Sequence, residues 1–123
     1  MATIGGGYLS VEKVGDVTVV VANAVCHHID ESNVEEIGRD LMGVIQACDP
    51  PLMVLALDAV EFFGSSFIEV LFRAWNRLNS QSNAKLVLCE LQPYCREVVE
   101  VTHLNRLWPI ETTRAAALKL ASA

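Results

Sequence analysis

The chain has 123 residues, enough for a single domain with a real core, and its 52% hydrophobic content excludes a disordered chain. Its formal charge is −6 and its nine Lys and Arg residues are scattered, so nucleic acid and anionic membranes are poor partners, whereas a basic protein surface is allowed. The apolar runs, such as Val17–Val21 and Leu52–Leu57, fall far short of the roughly 20 residues that span a bilayer. Met1–Gly7 has no basic cluster leading into an apolar stretch, so it does not read as a signal peptide, and a cytoplasmic protein is expected. One domain over 1–123 is expected, with 1–7 a flexible N-terminus because of Gly5-Gly6-Gly7.

In chain order, Tyr8–Val14 and Val17–Ala22 read as strands joined by a tight turn at Gly15-Asp16. The second of them is apolar on both faces and belongs inside a sheet. Ser32-Asn33-Val34-Glu35 has the form of a capping box, and Val34, Ile37, Leu41, Val44 and Ile45 behind it form one helical stripe. Asp49-Pro50-Pro51 ends that helix, since proline lacks an amide donor and disfavours helix before it. Leu52–Leu57 is a central strand, and Glu61–Ser66 a loop. Phe67–Leu78 is helical, with Ile68, Leu71, Trp75 and Leu78 on the apolar stripe. Lys85–Cys89 is a further strand, Pro93 opens a helix, and Leu107–Ile110 is a short edge strand interrupted by Pro109. Thr112 or Thr113 caps a last helix. Strands alternating with helices after a hairpin give an α/β class, with a mixed sheet of four to five strands and about four helices packed on it.

Several residue groups invite a chemical reading. Cys26-His27-His28 with Asp30 looks like a metal cluster, but neighbours on an extended chain point to opposite sides, and no second Cys/His pair has a zinc-site spacing. No metal and no cofactor are therefore expected. The four cysteines, Cys26, Cys48, Cys89 and Cys95, read as buried thiols. Ser65 and Ser66 lack the Gly-x-Ser-x-Gly elbow of a nucleophile, no histidine is tied to them, and no catalytic cluster is visible, so the chain reads as a non-enzyme. Trp75 and Trp108 anchor packing, each needing a partner for its indole N–H.

The most informative stretch is Leu57-Asp58-Ala59-Val60-Glu61-Phe62-Phe63-Gly64-Ser65-Ser66-Phe67-Ile68-Glu69. A buried strand ends, a short loop follows, and two serines stand at a helix start, where unpaired amides and the helix dipole favour negative charge. A phosphate there adds about −1.5 to −2 charges to the surface. Taken alone, these residues favour a structural reading, because serine is a common cap and Ser66-Phe67-Ile68-Glu69 is itself a capping box. The aromatics Phe62, Phe63 and Phe67 crowd one loop, and any that stay exposed make an apolar contact surface beside Ser65.

This stretch resembles the signature of STAS domains, in particular the anti-sigma factor antagonists: an apolar strand, then Asp-Leu-Ser-x-Val-x-Phe-(Met/Leu)-Asp-Ser-Ser-Gly-Leu-Gly, then an amphipathic helix. Here it has one fewer residue near its start. His28-Ile29-Asp30 before a helix and Leu86–Pro93 are similar to further steps of that family, and the resemblance runs through nearly the whole chain. It implies a STAS fold and a regulatory binding module that docks on an anti-sigma factor or related serine kinase. It implies Ser65 as the phosphoacceptor, with Ser66 as the alternative. Phe63, Gly64, Ser65, Ser66, Phe67 and Glu69 are then the partner-binding residues. Gly64 departs from the usual Asp, and Phe67 and Glu69 replace small residues, usually glycines. Gly64 is expected to change the loop backbone, and Glu69 to oppose a phosphate on Ser65. The alternative implied is a non-phosphorylated scaffold subunit of a larger signalling assembly, and a homodimer is allowed.

Overall fold

The computed structural model describes residues 1–123. Its strands are β1 (Ala2–Ile4), β2 (Leu9–Val14), β3 (Val17–Ala22), β4 (His28–Ile29), β5 (Leu52–Ala56), β6 (Phe62–Phe63), β7 (Lys85–Cys89) and β8 (Ile110–Glu111). Its helices are α1 (Val34–Gln46), α2 (Ser65–Leu78), α3 (Pro93–Val101) and α4 (Arg114–Ser122). The main sheet has six strands in the order β1-β2-β3-β5-β7-β8. The β1-β2-β3 part is antiparallel, and β3, β5, β7 and β8 run parallel. None of the helices is long and apolar enough to cross a membrane.

The continuous apolar runs have a simple cause. Successive strand residues face opposite sides, and both sides of the parallel strands are covered. Met53 and Leu55 of β5 join the larger core with Ile37, Leu41, Leu71 and Leu78 of α1 and α2. Val54 and Ala56 face the other way, into a smaller core with Val87 and with Ala117 and Ala121 of α4. Each fully buried large apolar side chain contributes roughly 1.5–3 kcal/mol.

Helix α1 buries the expected stripe. Its capping box does not form. The Ser32 hydroxyl donates to Asp30 Oδ1 at 2.6 Å, and Asn33 takes the cap position. The local carboxylate is a stronger acceptor than anything the helix end offers the hydroxyl, and the hydrogen bonds from the Ser32 hydroxyl and amide hold Asp30 below the usual carboxylate range. In α2 the stripe is rotated from the expected one: Phe67, Val70, Leu71, Ala74 and Leu78 are buried, while Ile68 and Trp75 are half-buried. Pro93 opens α3, and Thr113 caps α4 by accepting from the Ala116 amide at 3.1 Å.

Two expectations need correction. The sheet has six strands, not four to five, and residues 1–7 are not simply a flexible terminus, because Ala2–Ile4 forms the edge strand β1. The glycines make the turn that permits it. Gly5 and Gly7 sit at φ +50° and +88°, where glycine is at ease, and the Gly7 amide donates to the Ile4 carbonyl at 3.0 Å. The Gly6 amide donates to Asp40 Oδ2 at 3.1 Å, which pins the turn onto α1.

All four cysteines are free and buried. Burial pushes the thiols of Cys26 and Cys95 up to about 11 and that of Cys89 up to about 12. Trp108 is buried against Phe72, as an anchor should be, but its indole N–H finds no hydrogen-bond partner.

Candidate functional site

The segment after β5 is anchored from three sides. The Leu57 amide donates to the Cys89 carbonyl at 3.1 Å, which keeps the chain in register with β7. The Asp58 carbonyl accepts from Gln92 Nε2 at 2.7 Å. Arg114, at the start of α4, donates Nε and Nη2 to Glu90 Oε1 at 3.1 and 2.9 Å and lies 3.9 Å from Asp58 Oδ1. The bond to Glu90 raises the Arg114 pKa further. The loop at the end of β5 is thus tied to α3 and α4.

The expected loop Glu61–Ser66 contains a short strand. β6 pairs in parallel with β4, His28 facing Phe62 and Ile29 facing Phe63. The His27 carbonyl accepts from the Glu61 amide at 2.8 Å, and the Ile29 carbonyl from the Gly64 amide at 3.2 Å. This ladder sets the alternation: Phe63 points inward at 2% exposure, and Phe62 points outward at 36%.

Helix α2 then begins at Ser65, with Gly64 in the cap position and no side-chain cap. The capping box expected at Ser66 is absent, because Ser65 and Ser66 are the first two helical residues and neither stands at the cap. Ser65 is exposed, Ser66 half-buried and Glu69 exposed. Glu69 is one turn along from Ser65, so the two share a helix face. Gly64 has φ −90° and ψ 178°, extended backbone open to any residue, and a Cβ there meets nothing within 4 Å. The expected distortion at Gly64 is therefore not found.

Phe63 and Phe67, expected among the partner-binding residues, turn inward instead. Both are 2% exposed, and their rings pack at a tilt in the larger core with centroids 5.3 Å apart. They shape the site from beneath and present no surface to a partner. The exposed aromatic surface comes from elsewhere. Phe62 stacks on Tyr94 of α3 at 5.5 Å and meets His28 edge-on at 5.9 Å, and His28 lies 4.8 Å from His27. Tyr94 is 48% exposed. His28 Nε2 is 3.9 Å from Glu61 Oε2. Cys26 does not join these histidines: it is buried, with Sγ donating to the Tyr8 carbonyl at 3.2 Å.

Sequence reasoning missed Tyr94 and His28 as parts of this surface. Nothing local in the sequence marks them, because it takes the β4–β6 pairing and the placement of α3 to bring them beside Phe62. The arrangement offers no cluster of acid, base and nucleophile. It offers an exposed hydroxyl at the first turn of a helix, an apolar aromatic strip nearby, and a rigid base.

Comparison with known proteins bears on the family and the fold. Residues 8–117 match the model of the STAS domain. The chain is similar to an anti-sigma-factor antagonist (STAS) domain protein from Planctomyces limnophilus, with 36% identity, a TM-score of 0.87, and coverage of 94% of this chain and 98% of that one. An anti-sigma factor antagonist from Mycobacterium paratuberculosis shares the fold, with a TM-score of 0.82 at 24% identity, over 94% of this chain and 93% of that one. BtrV of Bordetella bronchiseptica, provisionally named an anti-sigma factor antagonist, is 26% identical over 89% of this chain and 90% of its own length.

Proposed function

Because the chain belongs to the STAS domain family, we propose that the surface around Ser65 docks on an anti-sigma factor or related serine kinase, and that phosphate transfer to Ser65 ends the docking. The observation that carries this reading is the state of Ser65: it is exposed, it is the first residue of α2, and it plays no part in capping that helix. This supports an acceptor role over a capping role for this serine. Ser66 is the less accessible alternative.

In the transfer, Ser65 Oγ attacks the γ-phosphorus of ATP held by the kinase. The new O–P bond forms as the bond to ADP breaks, and the hydroxyl proton passes to a base on the kinase. This chain supplies the acceptor and the docking surface; the partner supplies nucleotide and catalysis. The product carries about −1.5 to −2 charges where a neutral hydroxyl stood. The α2 amides tolerate that charge locally, while Glu69 on the same face opposes it. The partner must then desolvate a dianion to keep its contact.

The contact itself is assigned to Phe62, Tyr94 and His28 together with Gly64, Ser65, Ser66 and Glu69. Aromatic side chains that are half-exposed and already fixed by stacking gain area on binding at little entropic cost. Titration of the chain against the kinase without ATP tests this. Replacing Phe62 and Tyr94 together by alanine should weaken docking about 10-fold or more, since hot-spot truncations each cost more than about 1 kcal/mol. Wild-type affinity in that double variant, with its fold intact, would sink the assignment of the surface.

A further inference from the structure

The edge hairpin of β1 and β2 leans over α1 and leaves a groove of about 500 Å³ between them. Three features of the sequence keep it open. On the helix side, Gly43 of α1 and its C-cap residue Ala47 line the groove and contribute almost no bulk. A Cβ built at Gly43 meets nothing within 4 Å. The hairpin turn is fixed in place by the hydrogen bond of the Gly6 amide to Asp40, which pins it onto α1 at one end of the groove.

The lining is amphipathic. Ile4, Val11 and Val44 give an apolar middle. Lys13 and Thr18 are direct cross-strand partners, so their side chains lie together on one face at one end. Thr18 is 6% exposed, and it lines the groove. Its hydroxyl has no hydrogen-bond partner within the protein. The hydroxyl is not sealed from solvent, so it opens onto the groove as a free donor for an incoming acceptor. Lys13 Nζ donates to the Asp49 carbonyl at 2.8 Å and keeps two further donors. At the other end Arg39 takes part in none of the ion pairs of the chain. From Arg39 to Ala47 the helix rises about 12 Å.

We propose that this groove binds a small carboxylate with an apolar body. The carboxylate accepts from the Thr18 hydroxyl and the Lys13 ammonium, and the body lies over Val11, Val44 and Ile4 towards Arg39. The volume is in the range of small-molecule sites, roughly 300–1,000 Å³, and the polar groups are few and convergent. None of these residues belongs to the Ser65 surface, so the site stands or falls independently of the docking proposal.

Octanoate is a suitable probe, titrated into the isotopically labelled full chain and followed by amide shifts. The expected result is a saturable response centred on Val11, Lys13, Gly43 and Val44. Octanol, of equal length and neutral, should bind at least about 10-fold more weakly, as expected when one charge-assisted contact is lost. Gly43→Leu fills the groove from a position with free space, and it replaces a poor helix former, so it should fold and lose binding by about 10-fold or more. Lys13→Met with Thr18→Val should weaken octanoate similarly and leave octanol unchanged. The proposal is overturned if the shifts do not saturate or lie outside the groove, if octanol binds as well as octanoate, or if Gly43→Leu binds octanoate like the parent chain.

Discussion

Phe67→Ala is expected to cost about 3–5 kcal/mol of folding stability, the range for removing a buried aromatic ring. Phe67 is 2% exposed, packs at a tilt against Phe63, and opens the buried stripe of α2. Its removal leaves a void beneath the first turn of the helix that carries Ser65, bounded by core groups that cannot readily close over it. Against a typical total of about 5–15 kcal/mol this is a large fraction, and thermal unfolding should shift down by on the order of 10–20 °C. The small residue usual in the resembling signature at this place is therefore not interchangeable with Phe67 here. Denaturant unfolding of the variant measures the effect. A loss below about 1 kcal/mol would show that Phe67 behaves as a surface residue.

Ser65→Asp is expected to weaken docking on the kinase by on the order of 100-fold, or about 2–3 kcal/mol, because a carboxylate must then be desolvated at the contact. Ser65→Ala should dock like the parent chain, since it keeps a small neutral surface. The fold does not confuse this comparison. Ser65 is exposed, and an acidic residue in the first turn of α2 favours the helix by a few tenths to about 1 kcal/mol. Stability should therefore hold or rise slightly as affinity falls. Equal affinities for Ser65→Asp and Ser65→Ala would remove the charge from the mechanism.

Much of the fold was legible in the sequence, and the places where it was not are instructive. The runs Val17–Ala22 and Leu52–Leu57 announced interior strands because both their faces are buried, and α1 declared itself by its stripe. β1 was missed because a triple glycine reads as flexibility, whereas Gly5 and Gly7 use their freedom to make one defined turn. β4 and β6 were missed because two-residue strands have no periodicity to detect. The capping boxes at Ser32 and Ser66 failed for different reasons: Asp30 captured one hydroxyl, and α2 began too early for the other.

The candidate site divides in the same way. Ser65 could be placed at a helix start from local sequence, and the structure puts it there, exposed. Which of the three aromatics face outward depends on the β4–β6 register, a pairing between segments over 30 residues apart in number, from His28 to Phe62. Phe63 and Phe67 turned inward and Phe62 outward, and Tyr94 arrived from α3 to complete the strip. Gly64 looked like a change of backbone and proved to be ordinary extended chain.

On the proposed reading, Ser65 accepts a phosphate that ends docking. The direct measurement is incubation of the chain with the anti-sigma kinase and ATP, mass mapping of the product, and titration of that product against the same kinase. The expected result is one phosphate, on Ser65, absent from Ser65→Ala, and a docking affinity lowered by on the order of 100-fold. A chain that docks, acquires no phosphate on Ser65 or Ser66, and keeps its affinity as Ser65→Asp would contradict it and leave a constitutive scaffold in its place.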